Sequence, residues 1–124
     1  MRPSKIVFAL LVLLRAETAF GVDKKIISPP GTKPGGNYSQ GILVDGTLYV
    51  SGQGGDDATG KIPSDFDAEV RQSFDNIQAV LKAAGMSPAD VVSGQVYLND
   101  AGKFQRMNAV YKVISEIRDP PGRQ

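Results

Sequence analysis

Asp45-Gly46 joins two short apolar runs, residues 40–44 and 47–53, and this dipeptide restricts the fold more than any other feature of the chain. A two-residue link of this composition closes a tight hairpin, because Asp and Gly both tolerate the positive φ that such a turn requires. The two runs must therefore lie side by side and antiparallel. An isolated ribbon is marginal in water, so the remaining chain has to cover one of its faces.

The flanking segments supply that cover. Residues 22–28 contain Lys24-Lys25-Ile26-Ile27, a short edge strand, and residues 29–37 form a loop broken by Pro29-Pro30-Gly31 and Pro34-Gly35-Gly36. Gly52-Gln53-Gly54-Gly55 and Asp56-Asp57-Ala58-Thr59-Gly60 end the second hairpin strand in a long polar loop that turns at Thr59-Gly60. Val70, Phe74, Ile77, Leu81 and Ala84 recur at spacings of four, three, four and three, which predicts a helix over 66–84. Asp65 caps its start, Asp67 and Glu69 suit the positive end of the helix dipole, and Gly85 ends it. Ser87-Pro88 opens about one further turn. Residues 91–98 are predicted as another sheet strand with Val92, Val96 and Leu98 on one face. Asp100 caps a second helix whose stripe is Phe104, Met107, Tyr111 and Ile114, widened by Val110 and Ile117 and stopped by Asp119-Pro120-Pro121-Gly122. The order β, ββ, α, β, α is that of an α+β layer fold in which a sheet buries one face under two helices. A chain of 124 residues holds one such domain, with no repeat. After the last helix a closing strand is expected to be missing.

The composition then limits the chemistry. With no Cys there is no disulfide, thiolate nucleophile or Cys-bound metal, and with no His there is no Ser-His-Asp triad and no His-bound metal. Arg, Lys, Tyr, Ser and carboxylates are left to act. Arg2 and Lys5 precede an unbroken apolar run at 6–14, and small residues follow at Ala19 and Gly21, the layout of a secretory signal peptide over 1–21. The run is about half the ~20 residues of a spanning helix, so export without a stable membrane anchor is expected. The alternative is a buried strand or helix in a cytoplasmic protein; charges flanking an uninterrupted apolar run favour export. Removing Arg2, Lys5, Arg15 and Glu17 with that segment turns the net charge of +1 into −1. A domain of that charge lacks the clustered basic surface that tight nucleic-acid binding needs.

Individual motifs are weak by themselves. Gly52, Gly54 and Gly55 lack the third glycine of a dinucleotide loop and precede no helix directly, and Asp56-Asp57 would repel a pyrophosphate. The same two aspartates are too few for a calcium site. Asn37-Tyr38-Ser39 matches a glycosylation sequon, a short pattern that arises often by chance. Arg123 can grip a carboxylate through two parallel hydrogen bonds, although an arginine near a terminus is usually just solvated. Tyr38, Ser51 and Asn108 offer neutral donors and acceptors, equally suited to caps, turns or rims.

Four blocks taken in order say more. Pro34-Gly35-Gly36-Asn37-Tyr38-Ser39-Gln40-Gly41, Leu48-Tyr49-Val50-Ser51-Gly52-Gln53, Asn108-Ala109-Val110-Tyr111 and Pro120-Pro121-Gly122-Arg123 resemble the signatures of the Rid family, the reactive intermediate (enamine/imine) deaminases, also called the YjgF or L-PSP ribonuclease family. Arg71-Gln72-Ser73-Phe74-Asp75-Asn76-Ile77 and Ala83-Ala84-Gly85-Met86 fit the same family, and the domain it covers is 22–124.

The resemblance implies a chorismate-mutase-like α+β fold that forms a homotrimer, with small-molecule sites in clefts between subunits. It implies cofactor-free hydrolysis of 2-imino acids and their enamines, of the 2-aminoacrylate type, to 2-keto acids and ammonia. It assigns Arg123 to the substrate carboxylate, Tyr38 to orienting the pocket, Ser51 and Asn108 to polar contacts, and Gly52 to close backbone approach. That chemistry suits a chain without His, because a protonated imine is already electrophilic and needs a positioned water and fixed donors more than a nucleophile. The resemblance further implies two strands beyond the Pro-x-x-Arg turn, one bearing a glutamate that places the water; the sequence given stops at Gln124, so those strands are expected to be missing. A non-catalytic carboxylate-binding or chaperone-like oligomer is the competing expectation. Endoribonuclease action, or inhibition of translation, is a third, at odds with the charge.

Overall fold

The computed structural model describes residues 21–32 and 36–118. The apolar run at 6–14, Pro34-Gly35, the Pro120-Pro121-Gly122-Arg123 turn and all but the last residue of the expected signal segment lie outside those residues.

The sheet is built around the Asp45-Gly46 turn. β1 (Lys24–Ile27), β2 (Gly41–Val44) and β3 (Thr47–Val50) are antiparallel in the order β1-β2-β3. Val44 pairs with Thr47, leaving only Asp45 (φ 47°) and Gly46 (φ 78°) in the turn. Both central residues take positive φ, which keeps the twist of the turn in step with that of the strands. The Ser51 N–H donates to the Gln40 carbonyl at 2.9 Å and carries the ribbon one bond further.

The first helix, α1 (Phe66–Ala83), starts where Asp65 accepts from the Ala68 N–H at 2.9 Å. It closes with the Met86 N–H on the Leu81 carbonyl (2.8 Å) and the Gly85 N–H on the Lys82 carbonyl (3.0 Å), the paired bonds of a glycine-terminated helix. A 3-10 turn at Pro88–Asp90 follows. The second helix, α2 (Phe104–Arg118), is led in by a 3-10 turn at Ala101–Lys103, where Asp100 accepts from the Gly102 N–H at 2.8 Å.

α1 packs on both the hairpin and α2. Toward α2 it contributes Val70, which is buried with Met107, Val110 and Ile114, while Phe66, Phe74 and Leu98 pack around them. Among the described side chains the buried stripe of α2 is Met107, Val110 and Ile114, with Ile117 lying outside them; Phe104 and Tyr111 are about half exposed, and Tyr111 instead lies against Phe74 with ring centroids 5.1 Å apart. Toward the hairpin α1 contributes Val80, which is fully buried and was not part of the predicted apolar stripe. Gly41 makes this approach possible: a Cβ there would stand 2.9 Å from Val80 Cγ1 and 3.2 Å from Leu48 Cδ1. Among the described residues the layers make the three-stranded, two-helix α+β arrangement of a chorismate-mutase-like domain.

One expected element is corrected. Residues 91–98 run without helix or strand structure and are not hydrogen-bonded into the sheet. Val92 is 99% exposed and Tyr97 87%, and Leu98 alone of the segment packs against the helices. Alternating β-formers favour a pleated, half-buried surface, but a strand also needs a neighbouring backbone to pair with. Among the described residues nothing takes that place.

Candidate functional site

The hairpin and the loop before it bring together residues far apart in sequence. Tyr38 Oη donates to the Gly52 carbonyl at 3.1 Å, across 14 positions of sequence. Gln53 Nε2 donates to Tyr38 Oη at 3.1 Å and to the Ser51 carbonyl at 3.1 Å. Ser51 Oγ donates to the Ser39 carbonyl, tying the strand end back to the residue after Tyr38. Of the residues singled out from the sequence, Tyr38, Ser51 and Gly52 therefore share one network, at an exposed rim where Tyr38 is 48% accessible.

Asn108 is placed elsewhere. It is half-buried on α2, and no hydrogen bond among the described residues joins it to Tyr38 or Ser51. Arg123 lies outside the described residues.

Gln53 is a member that residue-by-residue reasoning passed over. Its side chain fixes the Tyr38 oxygen as an acceptor, so the phenolic proton is directed to the Gly52 carbonyl. The available signal was its position, immediately after Ser51-Gly52 in the same block.

The loop that follows is organised by its own side chains. Asp57 Oδ1 accepts from Thr59 Oγ1 (2.6 Å), the Thr59 N–H (2.8 Å) and the Lys61 N–H (3.0 Å). The Thr59 hydroxyl first, then the two amides, holds this carboxyl below its ordinary value. Asp57 thus works as a turn organiser, and among the described residues no group of three or more acidic side chains converges as a metal site. Arg106 reaches from α2 to Asp67 (2.6 Å) and Asp65 (3.1 Å) at the start of α1, and its pKa is raised chiefly by the hydrogen bond to Asp67. Both are surface pairs, screened by solvent and weak as stabilisers.

Chemically, the Tyr38 network offers a phenol held in one orientation, a serine hydroxyl and accessible glycine backbone. Its described members, a phenol, a hydroxyl and an amide, are neutral hydrogen-bonding groups suited to orienting a polar guest.

A family model described as Endoribonuclease L-PSP matches residues 30–124, most of the chain. This chain belongs to that family. Among its L-PSP relatives, a RutC family protein of Sulfurisphaera tokodaii is 41% identical over 97 residues, 77% of this chain and 78% of the relative. A 2-iminobutanoate/2-iminopropanoate deaminase of Bos taurus is 46% identical over 79 residues, 62% of this chain and 58% of the relative. The crystal structure of E. coli TdcF with bound serine superposes with a TM-score of 0.70 at 34% identity, covering 76% of each chain. The L-PSP, or Rid, resemblance and its fold are thereby borne out.

Proposed function

We propose that this L-PSP-family chain hydrolyses reactive 2-imino acids and their enamine tautomers to 2-keto acids. The observation that carries the proposal is the convergence of Tyr38, Ser51 and Gly52 on one exposed network, in a chain 46% identical over 79 residues to a protein named as a 2-iminobutanoate/2-iminopropanoate deaminase.

In the proposed reaction the guest is a 2-imino acid protonated on nitrogen. Water adds to the carbon of the C=N bond, the resulting carbinolamine loses its nitrogen, and the products are one 2-keto acid and one ammonium ion. The oxygen of water becomes the keto oxygen, and its two hydrogens join the two already on the iminium nitrogen to make ammonium. Arg123 grips the carboxylate through its planar fork, and Tyr38 sets the orientation of the guest. Ser51, Gly52 and Asn108 supply polar contacts and close backbone approach. Assembly as a homotrimer belongs to the same proposal, with neighbouring copies completing each cleft.

The test couples the protein to an amino-acid oxidase that generates imines and follows 2-keto acid release. Acceleration by the parent chain is expected, with Arg123→Ala reduced on the order of 100-fold, the scale on which misplacing a bound reactant slows reaction. No acceleration by the parent over the spontaneous rate sinks the proposal. Binding of a 2-keto acid without turnover selects the non-catalytic, carboxylate-binding alternative.

A further inference from the structure

α1 carries a second stripe that the apolar pattern does not show. Glu69, Ser73, Asn76 and Val80 recur at spacings of four, three and four, so they lie on one face. Val80 meets Gly41 of the sheet, and the three polar residues meet the loop that leaves β3. Ser73 Oγ donates to the Gln53 carbonyl at 3.0 Å. Asn76 Nδ2 donates to the Gly54 carbonyl at 2.9 Å and to the Asp56 carbonyl at 2.8 Å. Gln72 Nε2 in turn donates to Asn76 Oδ1 at 3.0 Å, which settles which end of the amide faces the loop. Gly55 lies flat against the helix: a Cβ there would stand 2.5 Å from Glu69 Cγ and 2.6 Å from the Glu69 carbonyl oxygen.

Three carbonyls within four successive residues are thus held by two side chains of one helix. The first of them belongs to Gln53, whose own side chain holds Tyr38. Loops of this glycine content sample many backbone conformations when left alone. A donor pair on a rigid helix selects one of them, and the selected conformation carries through Gln53 to the phenol.

We infer that Ser73 and Asn76 are positioning residues for the Tyr38 site, acting through the 53–56 loop and without touching the guest. The inference deepens the deaminase proposal and rests on it for the kinetic measurement only; the spectroscopic one stands alone.

The experiment compares Asn76→Asp, Ser73→Ala and Ser73→Thr with the parent, and uses Arg71→Ala, on an exposed position of α1, as control. Asn76→Asp keeps the shape but points a carboxylate at two carbonyls, and Ser73→Thr keeps the hydroxyl that Ser73→Ala loses. NMR signals of the isotope-labelled Tyr38 ring report its orientation in folded protein, and imine hydrolysis reports kcat and KM. Expected are displaced Tyr38 signals in Asn76→Asp and Ser73→Ala, parent-like signals in Ser73→Thr and Arg71→Ala, and a kcat lowered roughly 10- to 100-fold by Asn76→Asp with KM changed far less. Should Asn76→Asp not fold, the Ser73→Ala and Ser73→Thr pair decides by the same signals. Folded Asn76→Asp or Ser73→Ala protein with unmoved Tyr38 signals overturns the inference. A parent chain without imine hydrolysis sinks the deaminase proposal, while displaced signals still uphold the latch on Tyr38.

Discussion

Asp57 shows how a single exposed carboxylate can organise a loop. Its Oδ1 gathers the Thr59 hydroxyl and the Thr59 and Lys61 amides, and its backbone closes the same turn through the Asp57 N–H on the Lys61 carbonyl and the Gly60 N–H on the Asp57 carbonyl, both at 2.9 Å. These donors favour the ionised form, so the folded-state value lies below the ordinary 3.8. The contribution is complete above the unfolded value and is lost only as pH falls through the lower folded one. The amide signals of Thr59 and Lys61 should therefore move as acid is added with a midpoint below the ordinary carboxylate value of 3.8. A midpoint at or above that value in an NMR titration contradicts the assignment. The polar composition of residues 56–60 announces a loop, and Thr59-Gly60 its turn, but which oxygen collects the donors is set by three-dimensional closure.

At the scale of elements, what was legible in the sequence was what is encoded locally. Asp45-Gly46 demanded a tight turn and Asp65 a helix start, and both are found, because each depends on a few adjacent residues. Residues 91–98 depend on a distant partner backbone, and their alternation alone did not make a strand. The face of α1 that meets the hairpin was hidden for another reason: Glu69, Ser73 and Asn76 dilute the apolar signal that Val80 would otherwise extend. Tyr38, Ser51 and Gly52, singled out through family resemblance, share one hydrogen-bond network, whereas Gln53, Ser73 and Asn76 emerge only from hydrogen bonds that span loop and helix. Burial supplies a test. Val80 is inaccessible and fills the contact with Gly41, so Val80→Ala is expected to cost about 2 kcal/mol in urea unfolding, from lost transfer energy and a cavity. Val92→Ala, at 99% exposure, is expected to stay within about 0.5 kcal/mol. Equal effects from the two substitutions contradict the packing described.

At the scale of the whole molecule, the described residues cover one face of the sheet and leave the other open. Gly41 points at Val80, so its neighbour Ile42 points the other way, and the register aligns Ile26, Ile42 and Tyr49 as a row across all three strands. Ile26 and Tyr49 are each 64% exposed, an apolar row that a solitary domain gains nothing by presenting to water. Covering it with the same face of other copies removes apolar surface from water, at roughly 25 cal/mol per Å². Closed symmetry brings equivalent faces together without leaving an open end. This row is the physical support for the proposed trimer, and it makes the trimer testable apart from catalysis. Light scattering on the parent chain is expected to give three copies across micromolar dilutions. Tyr49→Asp places a charge at one end of the row that the trimer would bury, where leaving water without a partner costs several kcal/mol, so it should release single folded chains. A parent that scatters as single chains, or a Tyr49→Asp variant that stays a trimer, removes the sheet face from the assembly. The Tyr38 rim is half exposed in one chain, and a neighbour docked beside it is what would turn that rim into a cleft.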